Sequence, residues 1–316
     1  MPYAFNWYEL IRVNQMKIVC IGGGHGLSHM LSAIRPHCAE LTAIVATTDN
    51  GGSTGKLRNS QGGVALGDIR RCCLQLADDD SLVHKVFHHR FEGGELDGHS
   101  LGNLTLLGLS QQTNSATQAI AWFNAMLGNS ETILPMSDEP TDLLAVLPNG
   151  EKIIGECQID SLTQLPEYVT LSQNVNAAPG AVEAIHNADL ILIGPGSLIT
   201  SVMPAMLVED IAQAVNMTSA CRVFIENIAK ETSVIKSLDL KPVDWLESML
   251  GYSFCDLSIS HDALSEIVSH FDDVIRTPNQ QHDIEQLSTV FGEILKMPLI
   301  LEADKSSRTD QAISML

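Results

Sequence analysis

The sequence predicts an α/β protein built on a mostly parallel sheet, with a small antiparallel β insert. Two observations carry this. A short apolar run, a glycine-rich turn and a helical repeat follow one another twice, at 17–34 and again at 189–215. Between 131 and 171 the pattern shifts to short strands, with a hairpin signal at Pro148-Asn149-Gly150 between 143–147 and 152–159. No repeat, low-complexity stretch or linker divides the chain. Residues 16–300 are therefore expected to form one domain with the insert at about 131–171, preceded by an extension at 1–15 and followed by a polar tail at 301–316.

The first unit opens with Lys17-Ile18-Val19-Cys20-Ile21 and turns at Gly22-Gly23-Gly24-His25-Gly26. Leu27, Met30, Leu31 and Ile34 then recur at helical spacing until Pro36. Such a turn suits a phosphate at the helix start, but Leu27 stands where a dinucleotide fingerprint has its third glycine. By itself it serves equally well to pack strand on helix. The second unit ends its strand, 189–193, on Gly194-Pro195-Gly196-Ser197, with Thr200 and Ser201 close behind. A strand at 221–226 delivers Asn227 to the same edge. Two glycine turns at strand ends say more than one, because ligands of open parallel sheets bind beyond the carboxyl ends of the strands.

A third strand, 41–46, runs into Thr48-Asp49-Asn50-Gly51-Gly52-Ser53-Thr54-Gly55-Lys56-Leu57-Arg58, expected to be a glycine-rich loop. Consecutive glycines can turn backbone N–H groups inward to make an anion-binding concavity. Lys56 and Arg58 add charge where phosphate oxygens would lie. Gly67-Asp68 begins a helix over 66–77, where Asp68 is either an N-cap or a ligand contact. Ser100 suits the N-cap of a helix at 101–109; His99 and Asn103, a turn apart, either face a ligand or satisfy the long loop before it. Further helices are expected at 81–91, 115–128, 179–188, 205–215, 243–250, 264–268 and 282–297.

Composition limits the partners. The formal net charge is −20, which disfavours nucleic acid and anionic membranes. Yet between 46 and 75 Lys56, Arg58, Arg70 and Arg71 outnumber Asp49 and Asp68, the mark of a confined anion site. The seven cysteines form no CxxC pair and read as buried thiols in a reducing compartment. Neither a secretory leader nor a membrane-spanning run is visible, so a cytoplasmic protein without membrane insertion is expected. The aromatic extension at 1–15 is either a segment docking on the body or on another subunit of a homo-oligomer, or an upstream start before Met16.

Several chemistries are excluded. Gly194 to Ser197 is not a hydrolase elbow, and Gly51 to Lys56 lacks P-loop spacing. His84 and His88 share a helix face but have no third ligand in view, so they read as solvated or interfacial histidines. A nucleotide or sugar-phosphate ligand remains, with structural turns as the plainer alternative.

GGGHGLS, TTDNGGSTGKLR, GDIRRCC, GHSLGN and IGPGSLITS, in this order across 22–201, resemble the YvcK/CofD-like family, in its gluconeogenesis-factor branch. The resemblance implies a Rossmann-like three-layer fold and a nucleotide-sugar ligand such as UDP-N-acetylglucosamine. It also implies an association with cell shape and growth on gluconeogenic carbon, with no settled catalysis. The family's other branch, 2-phospho-L-lactate transferase, uses a guanosine diphosphate-linked donor and magnesium. Carried over, Gly22 to Gly26 and Gly194 to Ser197 would line the diphosphate, and Lys56 and Arg58 would reach anionic oxygens. Asp49 and Asn50 would sit at the metal or sugar side, with Thr48, Gly51, Gly52, Ser53, Gly67, Asp68, His99, Asn103, Thr200 and Asn227 completing the cleft. Asn50 replaces an aspartate of the transferase pattern, which weakens a two-carboxylate magnesium site. Gln281 stands before His282-Asp283 where relatives often have an arginine. No catalytic residue, fixed metal ligand or certain cofactor is assigned; magnesium accompanying the nucleotide is the one cofactor left open.

Overall fold

Strand alternation here has to serve two buried faces. In a computed structural model, residues 16–226 and 241–259 are described, with Ile284, Ser288, Phe291 and Gly292 beyond them. In Lys17–Gly22 (β1), Ile18 and Cys20 pack into one apolar cluster while Val19 and Ile21 pack into another. A strand covered on both sides reads as an unbroken apolar run, which is the pattern of a parallel sheet.

After β1 come Gly24–Ile34 (α1), Glu40–Val45 (β2), Gly52–Gln61 (α2), Gly67–Leu76 (α3), Leu82–His88 (α4), Leu101–Thr113 (α5) and Ala116–Met126 (α6). Thr132–Pro135 (β3) follows, then Leu143–Val146 (β4), Lys152–Ile154 (β5), Glu156–Asp160 (α7) and Tyr168–Leu171 (β6). Ala181–Asn187 (α8) leads to Leu190–Ile193 (β7), a π-helical turn at Leu198–Val202, Met203–Met206 (α9) and Glu209–Met217 (α10). Cys221–Ile225 (β8), Pro242–Leu250 (α11) and Leu257–Ile259 (β9) complete the described elements.

The main sheet has the order β3-β2-β1-β7-β8-β9, and every neighbouring pair is parallel. The chain steps outward from β1 to β3, then returns to build from β7 to β9 on the other side. Strand order reverses between β1 and β7, and the crevice at their carboxyl ends is where such sheets bind ligands. One cluster packs α1, α3 and α6 on one face, and the other packs α8 to α11 and the insert on the opposite face. A three-stranded antiparallel sheet, β5-β4-β6, forms the insert.

The fold expected from the sequence is present, with four local differences. The helix expected over 205–215 is broken at Leu207 and Val208 into α9 and α10. Thr132–Pro135 belongs to the main sheet, since β3 pairs in parallel with β2, so the antiparallel insert proper starts at β4. The strand expected over 152–159 stops at Ile154, because Gly155 takes φ of 102° and α7 begins behind it. Most of the loop expected at 48–58 is the helix α2, and only its first residues are irregular. Among the described residues no single helix is long and apolar enough to cross a membrane; the apolar pair at 198–206 and 209–217 meets at 81° and is buried on the sheet.

Candidate functional site

The glycine turns after β1 and β7 meet. A methyl group on Gly22 would lie 3.7 Å from the Gly194 Cα, and one on Gly26 would lie only 2.5 Å from the Pro195 carbonyl oxygen. Gly23 caps α1, and a methyl there would sit tightly, at 3.2–3.4 Å, among Asp68 Oδ2, Ala46 Cβ and the Ser201 carbonyl. Small residues are needed here because two backbones close the crevice between β1 and β7. Ser197 caps the π-helical turn, accepting from the Thr200 N–H, while the Thr200 hydroxyl donates to Asp160 at 3.0 Å.

The third segment joins from the β2 side. Gly24 N–H donates to Asp68 Oδ2 at 2.5 Å, and Arg71 pairs with the other oxygen of the same carboxylate. Asp68 is therefore not an N-cap of its own helix, where Leu66 holds that place; it reaches across to the amino end of α1. The first donor of α1 is thereby satisfied, while the N–H groups of His25 and Gly26 in the same turn lack helical acceptors. Burial and the nearby Arg71 push the pKa of His25 down, so it is neutral near pH 7.

Ser53 gathers His99 and Asn103. Its hydroxyl lies 2.9 Å from His99 Nδ1 and accepts from Asn103 Nδ2 at 3.2 Å, while Ser100 caps α5. Asn103 Oδ1 and the Thr48 hydroxyl are buried and find no protein partner among the described residues. Gly67 is obligatory for contact, since a methyl there would come within 2.3 Å of the Thr54 hydroxyl.

The two cations of the loop part company. Lys56 is exposed, near Gly98, and forms no ion pair among the described residues. Arg58, expected to reach a ligand, is instead built into the fold. Its guanidinium donates to the carbonyls of Thr48, Asp49, Gly63 and Thr141 and pairs with Asp142 at 3.0 Å. It pins the segment after β2 to the insert, and no donor is left aimed at the cleft.

Asn50 is likewise occupied. Its amide donates to Gln158 Oε1 at 2.8 Å and its carbonyl oxygen accepts from Cys157 N–H at 2.9 Å. Both ends thus hold the start of α7 against the carboxyl end of β2, so Asn50 acts as a clamp. Among the described residues no group of three or more His, Cys, Asp or Glu side chains is arranged to hold a metal ion.

Sequence reasoning missed α7, which brings Glu156, Cys157 and Asp160 to the cleft. Burial first, then the charges of Asp49, Asp68 and Asp160, push the Glu156 carboxyl up to about 9, so it is a proton-bearing donor at neutral pH. Burial also raises Asp49, which accepts from Gly51 N–H at 2.7 Å. Cys157 is exposed, unlike the buried thiols expected. The signal was Gly155, whose added methyl would lie 2.2 Å from Asn50 Nδ2. A glycine in mid-strand marks a close backbone approach. Asn227 and the Gln281-His282-Asp283 segment lie outside the described residues, as do the extension at 1–15, the helix at 264–268 and most of the terminal helix.

These features define a class: an open parallel α/β protein with a polar crevice, floored by glycine turns, at its switch point. The model of the 2-phospho-L-lactate transferase CofD family matches residues 18–299, and the chain belongs to that family. It is 38% identical to a Vibrio cholerae protein over 88% of this chain and 97% of that one, and 43% identical to a Pasteurella multocida protein over 77% and 80%. Both carry the name "Putative gluconeogenesis factor". A Bacillus subtilis protein named "Gluconeogenesis factor" is 32% identical over 93% of this chain and 94% of its own. The crystal structure of a UPF0052 family member from Bacillus halodurans superposes with a TM-score of 0.74 at 27% identity, over 88% of this chain and 99% of that one.

Proposed function

We propose that the chain is a cytoplasmic gluconeogenesis factor that binds a nucleotide-sugar, a UDP-sugar such as UDP-N-acetylglucosamine, in the crevice between β1 and β7. The observation that carries this is the contact of the two glycine turns at the point where strand order reverses. The first-turn N–H groups of His25 and Gly26, which have no helical acceptor, suit the diphosphate, and the exposed Lys56 can add charge. Neutral Glu156 can donate to a ligand oxygen, and the Ser53–His99–Asn103 group offers hydroxyl, imidazole and amide contacts for the sugar. In this reading the ligand reports envelope precursor supply and tunes growth and cell shape on gluconeogenic carbon.

The name of the matching family favours one competing reading, a transferase using a guanosine diphosphate-linked donor. Engagement of Asn50 with α7 speaks against a second metal-binding carboxylate there. A thermal-shift panel of UDP-sugars, GDP and nicotinamide nucleotides, with and without magnesium, separates the readings. Saturation at roughly 100 times Kd should stabilise by about 2.7 kcal/mol. A response to UDP-sugars supports the proposal, whereas preference for GDP with magnesium favours the transferase. No response to any nucleotide defeats both.

A further inference from the structure

A second polar depression lies beside α4, away from the glycine turns. It has a volume of about 500 Å³ and is lined by Arg70, Lys85 and Arg90, by His84, His88 and His89, and by a single acid, Asp79. We propose that it is a second anion site, which takes a small phosphorylated molecule independently of the cleft.

Three observations carry this. The first is charge: three permanent cations face one carboxylate, in a chain whose net charge is −20. Asp79 is itself largely solvated and contacts His84 Nε2 at 3.3 Å. Lys85 leans outward to Asp80, 3.7 Å away. Arg70 and Arg90 have no carboxylate partner among the described residues; Arg90 is held only by the Gly98 carbonyl.

The second is an orphaned donor. Arg70 Nε is buried and has no hydrogen-bond partner among the described residues, and the same holds for His84 Nδ1. Burying a charged donor unpaired is costly, and a guanidinium fork is shaped to meet two oxygens of a phosphate. Burial, reinforced by the charges of Arg90 and Arg71 and only partly offset by Asp68, depresses the Arg70 guanidinium to about 10. The third is size, since a depression of this volume suits a small molecule and not a polymer.

The site is distinct from the cleft although the two share α3. Arg71 turns to Asp68 in the cleft, while the adjacent Arg70 lays its stem against Gly102 on the other side. The histidine pair does not make a metal site: His84 and His88 stack at 5.7 Å between ring centroids, and no third ligand joins them among the described residues.

The test is calorimetric titration of the full chain with inorganic phosphate and with glycerol 3-phosphate, with and without saturating uridine diphosphate. The proposal expects one site for the phosphate compounds that persists in uridine diphosphate and weakens at least tenfold in both Arg70→Gln and Arg90→Gln. Arg90 is exposed, so that variant keeps the fold even if Arg70→Gln does not. No phosphate binding, binding unaltered in Arg90→Gln, or loss of phosphate binding in uridine diphosphate while uridine diphosphate itself binds Arg90→Gln as tightly as wild type, would each overturn it. The variants decide the matter whether or not the cleft takes a nucleotide.

Discussion

Arg58 and Arg70 flank one glycine-rich segment, yet the fold treats them in opposite ways. Arg58 is wrapped by four carbonyls and the Asp142 carboxylate, so its charge is consumed in joining the segment after β2 to the insert. The buried Nε of Arg70 has no hydrogen-bond partner among the described residues. A buried cation with all its donors met is architecture. One with an unmet donor is the feature on which the proposed second anion site rests.

The largest expected effect breaks that contrast at its structural end. Arg58→Ala abandons several carbonyls and the half-exposed Asp142, and should cost about 2–4 kcal/mol in urea denaturation. Arg70→Gln keeps the stem and removes an unpaired charge, so stability should stay within about 1 kcal/mol of wild type. Equal losses in the two variants would erase the distinction. Gly55→Ala sharpens it next, because Gly55 sits in the helix that carries Arg58. Alanine in mid-helix ordinarily stabilises by about 0.5–1 kcal/mol. Here its methyl would lie 1.9 Å from the Asn50 carbonyl oxygen, so a loss of about 2–3 kcal/mol is expected, and a gain would contradict the packing described.

Asn50→Asp should cost about 1 kcal/mol by the same assay, since a carboxylate cannot donate to Gln158. If it instead created tight magnesium binding without loss of stability, the clamp reading would fail. A pH series probes the acid side of the cleft. Glu156 holds its proton in the folded chain up to about pH 9, whereas the unfolded chain releases it in the ordinary carboxylate range. Between those limits the folded state binds the extra proton, so stability falls as pH rises through the window. Glu156→Gln should therefore raise the melting temperature more at about pH 8 than at about pH 5. An identical shift at both would place Glu156 in a solvated setting.

Much of this was legible in the residues. The apolar runs ending on Gly22 and Gly194 announced β1, β7 and the crevice between them, because a strand buried on both faces leaves a continuous apolar signature. The grouping of Ser53 with His99 and Asn103 was half visible, since Ser100 marks the start of α5 but nothing in the spacing shows which loop it will touch. The roles of Arg58 and Asn50 were not readable. Both are decided by long-range partners, Thr141, Asp142, Cys157 and Gln158, in an insert whose local pattern carries only strand and turn signals. The orphaned Arg70 was hidden for the same reason: composition counts charges, and only packing shows which of them are paired.

The account's central claim is that the diphosphate of a nucleotide ligand rests on the touching glycine turns. The crystal structure of the chain grown with uridine diphosphate tests it most directly. Phosphate oxygens within hydrogen-bonding distance of the backbone N–H groups of His25 and Gly26, beside the Gly194–Ser197 turn, are the predicted result. A diphosphate held by Arg70 and Arg90, with the crevice between β1 and β7 vacant, would contradict it.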